Sequence, residues 1–233
     1  MRSISFNHNV KLLIYSDLNC LKDDVADLFV KEFNKGLCVV SGGATPKKIY
    51  KEISKKNNFK PKRKILLADD RLVSNNSVLS NYSMILKNLL IDFEENFPLS
   101  YYNELQTFSV KSLQKKIKEI LKENKLHTSF LGIGADGHTA SLFTEKADFN
   151  SKSNSFKIKN HFDDFERFTL SYKSLMMSKQ IVFIATGSEK NKPLLNFFSN
   201  KIDFNKFPFQ KLASDHINVK FYCDEDAVKN IKL

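Results

Sequence analysis

Short apolar runs rich in β-branched residues alternate along this chain with stretches of helical periodicity, the pattern expected of parallel strands joined by crossover helices. Residues 10–15 read as a first strand. Leu21, Val25, Leu28, Phe29 and Phe33 then share one face of a helix that Gly36 ends. Residues 37–40 form a second strand, and Pro46 suits the first position of a helix that turns Ile49, Tyr50 and Ile53 inward. A third strand spans 64–68, and a polar loop separates it from a helix over about 81–91. Leu113, Ile117, Ile120 and Leu121 mark a further helix, while residues 128–133, 168–172, 181–185 and 219–222 complete the strands. Segment 148–164 is polar and irregular, and 203–215, with Pro208, reads as a surface loop. Neither a repeat nor a low-complexity linker divides the 233 residues. Residues 1–233 are therefore predicted to form one α/β domain, a three-layer sandwich around a mostly parallel, Rossmann-like, doubly wound sheet.

Composition narrows the partners. No apolar run approaches the roughly 20 residues that cross a bilayer, and the first residues reach a lysine after the single Val10. A cytoplasmic protein with no membrane association is the expectation. Cys20, Cys38 and Cys223 are far apart and odd in number, with no pairing at metal spacing, so they read as reduced core thiols and no metal or other cofactor is expected. The net charge of +11 invites a nucleic-acid reading. Yet only Arg2, Arg63, Arg71 and Arg167 are arginines, and the lysines are scattered among asparagines, phenylalanines and isoleucines. Without a stacking motif or a helix-turn-helix pattern, this is a compositional bias with solvated lysine faces, and no nucleic-acid partner is expected. The same field would speed capture of a small phosphorylated molecule.

Glycine is scarce, which makes its placement informative. Of seven glycines, Gly42 and Gly43 follow one apolar run, and Gly132, Gly134 and Gly137 follow another. Glycine is expected where a ligand must approach the main chain. In the first loop, Ser41-Gly-Gly-Ala-Thr-Pro46 precedes a helix, whose free N–H groups together with the Thr45 hydroxyl suit an anion. In the second, Asp69-Asp-Arg71 puts two carboxylates and a guanidinium at a strand end, suited to sugar hydroxyls and phosphate respectively; Ser80-Asn81 reads as no more than a helix cap. The third, Gly132-Ile-Gly-Ala-Asp-Gly137, matches a dinucleotide fingerprint literally, but no carboxylate follows at the required distance, where 155–160 reads Ser-Phe-Lys-Ile-Lys-Asn. Asp136 and His138 instead suit acid–base chemistry, since an imidazole with an ordinary pKa of about 6.5 readily takes a proton from water. His8, His127, His161 and His216 have no comparable setting.

Taken together, SGGATP at 41–46, DDR at 69–71, SN at 80–81 and GIGADGHTASLF at 132–143 resemble the 6-phosphogluconolactonase family, within the superfamily that also holds glucosamine-6-phosphate isomerases and deaminases. The likeness continues through Arg167-Phe-Thr169, Gly187-Ser-Glu-Lys190 and the closing 221–227. Three positions depart from the family's usual pattern: Asp70 stands where glutamate is usual, Ala44 where serine is common and Thr144 where proline follows. The deaminase branch typically carries a glutamate after its histidine, and Thr139-Ala-Ser-Leu-Phe143 has none. The resemblance thus implies hydrolysis of 6-phospho-D-glucono-1,5-lactone in the oxidative pentose phosphate pathway, by a monomer or small homo-oligomer. It implies His138 as general base on water with Asp136 beside it. Gly42, Gly43, Thr45, Asp69 and Arg71, joined by Arg167 and Lys190, would hold the phosphosugar. A phosphosugar isomerase or deaminase, a non-catalytic phosphosugar-binding protein and a basic nucleic-acid-binding protein are the alternatives.

Overall fold

The computed structural model describes residues 1–56, 58–59, 65–90, 110–161 and 163–231. Its centre is a seven-stranded sheet in the order β1-β2-β10-β9-β6-β3-β4. The strands are β1 (Arg2–Ser5), β2 (Val10–Tyr15), β3 (Leu37–Val40), β4 (Ile65–Leu67), β6 (Leu126–Gly132), β9 (Gln180–Ala185) and β10 (Val219–Asp224). All pair in parallel except β1, which runs antiparallel to β2 at the edge. Every residue of β3 and β9 is buried. Strands covered on both faces carry such continuous apolar runs, which is why they were legible as runs rather than alternations.

The helices are α1 (Leu18–Phe33), α2 (Ala44–Ser54), α3 (Asn81–Leu89), α4 (Val110–Glu123), α5 (Tyr172–Met176), α6 (Asn191–Phe198) and α7 (Phe209–Asp215). From the adjacent pair β3 and β6, one connection leads outward to β4 and the other in the opposite direction to β9 and then β10. Right-handed crossovers leaving in opposite directions place helices on opposite faces and leave a crevice where they part. The α/β, mostly parallel, doubly wound expectation is met. A smaller antiparallel sheet, β5-β8-β7, formed by β5 (Asp69–Arg71), β8 (Glu166–Leu170) and β7 (Ser155–Lys159), stands beside that crevice.

Helix faces follow the periodicity. On α1 the buried set includes Leu21, Val25, Phe29 and Phe33, with Asp17 capping the start by accepting from the Asn19 N–H at 2.7 Å. Leu113, Ile117, Ile120 and Leu121 are the buried residues of α4. Pro46 lies at the third residue of α2 rather than the first, and Ile49, Tyr50 and Ile53 do face inward.

Several expectations need correction. Segment 148–164 contains β7, whose polar neighbours and half-exposed face conceal its alternation. Segment 203–215 contains α7, where Phe209, Leu212 and Ala213 are fully buried and Phe209 lies edge-on to Phe183 and Phe221. Seven residues are too few for a helical period to stand out. Tyr172 opens α5 rather than ending a strand, because the Ser171 hydroxyl accepts from the Ser174 N–H. Cys38 and Cys223 are buried, but Cys20 is exposed, since the residue before the inward Leu21 points about 100° away around the helix. Lys64 and Ile91, placed at element ends from the sequence, lie outside the described residues.

Candidate active site

A pocket of about 300 Å³ opens at the carboxyl ends of β3 and β6, where the strand order reverses. Ser41, Gly42 and Gly43 line it after β3, and Gly132, Ile133, Gly134, Ala135, His138 and Ala140 after β6. Asp69, Arg71, Asn81, Arg167 and Lys190 complete the wall. Loops from distant parts of the chain meet because parallel strands all end on one side.

The first corner presents backbone donors at a helix start. Gly43 precedes α2 with φ of 112°, a left-handed geometry that favours glycine, and no side chain caps the helix there. The leading N–H groups of α2 are therefore without a side-chain acceptor. The Tyr50 hydroxyl donates to the Ser41 carbonyl at 2.6 Å and pins the turn, while the buried Ser41 hydroxyl has no partner. Thr45 is not in the wall. Its hydroxyl shares a 2.8 Å hydrogen bond with the Thr186 hydroxyl, tying the first turn of α2 to the end of β9.

Two guanidiniums come from the small sheet. Arg71 of β5 and Arg167 of β8 are direct cross-strand partners. Like charges placed so are unfavourable unless an anion joins them. Arg71 donates through Nη1 to the Leu79 carbonyl at 2.6 Å and to Asn81 Oδ1 at 3.4 Å, and its buried Nε has no partner. Arg167 donates to Asp163 at 2.7 Å, lies 3.7 Å from Asp69 and is stacked between the rings of Phe143 and Phe165. Lys190 enters from the turn after β9. Its approach is set by Asp224, whose two oxygens accept from the Gly187 N–H at 3.1 and 2.9 Å.

Asp69 and Asp70 divide their roles. Asp69 faces the pocket and accepts from the Ser141 hydroxyl at 2.6 Å. Asp70 is buried and accepts from the N–H groups of Arg71, Asn81 and Tyr82 and from the Ser80 hydroxyl, so it anchors the start of α3 instead of meeting a ligand. Burial raises the Asp70 carboxyl above its ordinary value despite those N–H groups. Asp70→Ala is expected to destabilise the fold by about 2–4 kcal/mol, because several buried donors lose their acceptor. Urea denaturation with an unchanged m value would measure it, and a loss under about 1 kcal/mol would contradict this role.

The third corner carries Asp136 and His138. His138 Nδ1 lies 2.6 Å from Asp136 Oδ1, which also accepts from the His138 N–H at 3.2 Å. Partial burial by itself raises the Asp136 carboxyl, but its hydrogen bonds and charge interaction with His138 outweigh this and hold it below the ordinary value. A carboxylate only accepts, so Nδ1 carries the shared proton and the Nε2 lone pair is left as a base. Gly134 makes the arrangement possible, since a Cβ there would lie 2.2 Å from Nδ1. Asp136 stands behind the imidazole rather than in the pocket wall. The Phe143 ring touches both the imidazole, with centroids 5.3 Å apart, and the Arg167 guanidinium. Where a proline was expected, the Thr144 hydroxyl donates to the carbonyls of Asp136 and Lys206 and braces the loop. Ala44 leaves α2 without the hydroxyl a serine would add; nothing else in the structure bears on that position.

Asn81 is the wall residue that sequence reasoning took for a cap alone; its amide reaches Asp69 and Arg71 only after the chain folds. Among the described residues no three His, Cys, Asp or Glu side chains gather into a metal-binding group, and no helix is long and apolar enough to cross a membrane.

Fold and pocket together define an α/β protein whose switch-point crevice pairs an imidazole with a cationic wall. The chain belongs to the family described as glucosamine-6-phosphate isomerases/6-phosphogluconolactonase, which matches residues 21–221. It is 27% identical to a 6-phosphogluconolactonase of Aggregatibacter actinomycetemcomitans over 82% of this chain and 85% of that one. It is 28% identical to the 6-phosphogluconolactonase of Chlamydia pneumoniae over 91% and 87%. The fold is also that of the 6-phosphogluconolactonase from Trypanosoma brucei, with a TM-score of 0.78 at 20% identity over 98% of this chain and all of that one.

Proposed function

We propose that this chain hydrolyses 6-phospho-D-glucono-1,5-lactone to 6-phosphogluconate. Family membership and the names of its relatives support the substrate class. The observation that carries the mechanism is the joining in one pocket of the Asp136–His138 pair with Arg71, Arg167 and Lys190. His138 Nε2 takes a proton from water as the water oxygen bonds to the lactone carbonyl carbon. The tetrahedral intermediate then collapses, the bond to the ring oxygen breaks, and the imidazolium returns the proton to that oxygen. Asp136 keeps the proton on Nδ1 and steadies the imidazolium, a positioning role. The N–H groups of the glycine turn are the donors we assign to the transient oxyanion.

The phosphate is assigned to the N–H groups at Gly43 and the start of α2, to Arg71 and to Lys190, with Arg167 closing the cationic wall. Gly42 leaves room for the Asn81 carboxamide, and Thr45 supports the corner through Thr186. Asp69 orients Arg167 and is available to a sugar hydroxyl. A substrate of this kind is charged and does not cross membranes unaided, which fits a cytoplasmic protein.

The test is a pH-stat assay on freshly generated lactone with the spontaneous opening subtracted. No acceleration by the wild type, or ammonia release from glucosamine 6-phosphate, would overturn the reading. Arg71→Ala is expected to raise KM for the lactone about 10- to 100-fold with a smaller change in kcat, the cost of a charge-assisted contact of about 1.5–3 kcal/mol. An unchanged KM would remove Arg71 from the phosphate seat.

A further inference from the structure

Asn81 sits where three corners of the pocket touch. Its Nδ2 donates to the Asp69 carbonyl at 3.0 Å and to Asp69 Oδ1 at 3.4 Å, and its Oδ1 accepts from Arg71 Nη1 at 3.4 Å. Its backbone N–H is held by Asp70 at 2.6 Å. On the remaining side the carboxamide packs against Gly42, where an added Cβ would lie only 1.8 Å from Oδ1. Asn81 is 4% exposed although it lines the pocket.

We infer that Asn81 is a positioning residue that sets the distance between the Arg71 guanidinium and the Gly42 corner, and so the size of the phosphate seat. This rests on the phosphosugar reading above. The amide nitrogen donates to Asp69 and the oxygen accepts from Arg71, which places the side chain to act through these neighbours. The carboxamide offers a donor to Asp69 and an acceptor to the Arg71 guanidinium from one planar group. Leucine would fill the volume and serve neither, and aspartate would repel Asp69 and the bound anion.

A double-mutant cycle separates this role from simple structural support. Asn81→Ala and Asn81→Asp are made alone and in the Arg71→Ala background, with melting temperatures recorded. KM and kcat are measured on the lactone, and binding of 6-phosphogluconate and of gluconate by calorimetry. Asn81→Ala should raise KM for the lactone and Kd for 6-phosphogluconate about tenfold, with kcat changed less than about threefold. In the Arg71→Ala background the same substitution should add less than about twofold. The isosteric Asn81→Asp should weaken 6-phosphogluconate binding more than alanine does, with a smaller penalty on gluconate, and it carries the test if the alanine variant fails to fold. Additive losses, a fall in kcat at constant KM, or equal penalties on both ligands would overturn the inference. A wild type that binds 6-phosphogluconate but leaves the lactone alone would sink the hydrolase reading while the binding cycle still decides Asn81. Failure of the wild type to bind 6-phosphogluconate would overturn both.

Discussion

Replacing His138 with alanine is expected to lower kcat for lactone opening by about 10²- to 10⁴-fold, the contribution of a positioned general base. Binding of 6-phosphogluconate should change little, because the cations assigned to the phosphate come from β5, β8 and the turn after β9, none of which His138 holds in place. The variant should fold normally, since the imidazole is one-third exposed and its hydrogen-bond partner Asp136 more than half exposed. Stopped assays must subtract spontaneous hydrolysis, which sets the floor for the measurable loss. A variant within threefold of wild type would remove the imidazole from the chemistry. Asp136→Asn tests the companion role, since an amide can donate to Nδ1 and favour the wrong tautomer.

Gly134→Ala should be nearly as damaging, with kcat reduced about 10²-fold, although no functional group is lost. The missing Cβ would fall 2.4 Å from His138 Cε1 and 2.5 Å from Asp136 Oδ1, so the pair cannot stay where it is. A displacement of about 1 Å in a reacting group is enough for a loss of that size. The turn itself should survive, because Gly134 is not among the residues with positive φ and its bonds to His138 and Gly137 run through the backbone. Steady-state kinetics beside a thermal melt would show the contrast: kcat falls while the melting temperature holds. Unchanged kcat would show that the pair can relocate without cost to the reaction.

Much of this site was legible as a line of residues. His138 and Asp136 stood out because three scarce glycines crowd around them after an apolar run, and local turn chemistry needs only neighbours in the chain. Gly42 and Gly43 were legible for the same reason, and the Rossmann-like sheet followed from runs whose both-sided burial leaves no alternation. Arg71 and Arg167 could be named singly, but not as a facing pair. Their register depends on β8 pairing with β5 while β7 pairs with the other edge of β8, and β7 has too little apolar content to announce itself. Asp69 alone was assigned to the phosphosugar, but that Asp70 is buried under α3 while Asp69 turns to the pocket is visible only after folding. Thr45 read as a ligand to the anion, and its hydroxyl shares a hydrogen bond with a threonine 141 positions away.

The chain's own order of residues determined the strand and helix periods, the two glycine turns and the Asp136–His138 pair, because each arises from contacts within a few positions. Only the tertiary structure decided which charges share the pocket, that α7 is core, and that Asn81 links Asp69 to Arg71. Those outcomes depend on the direction a side chain takes once strands are in register, and alternation by one residue reverses it.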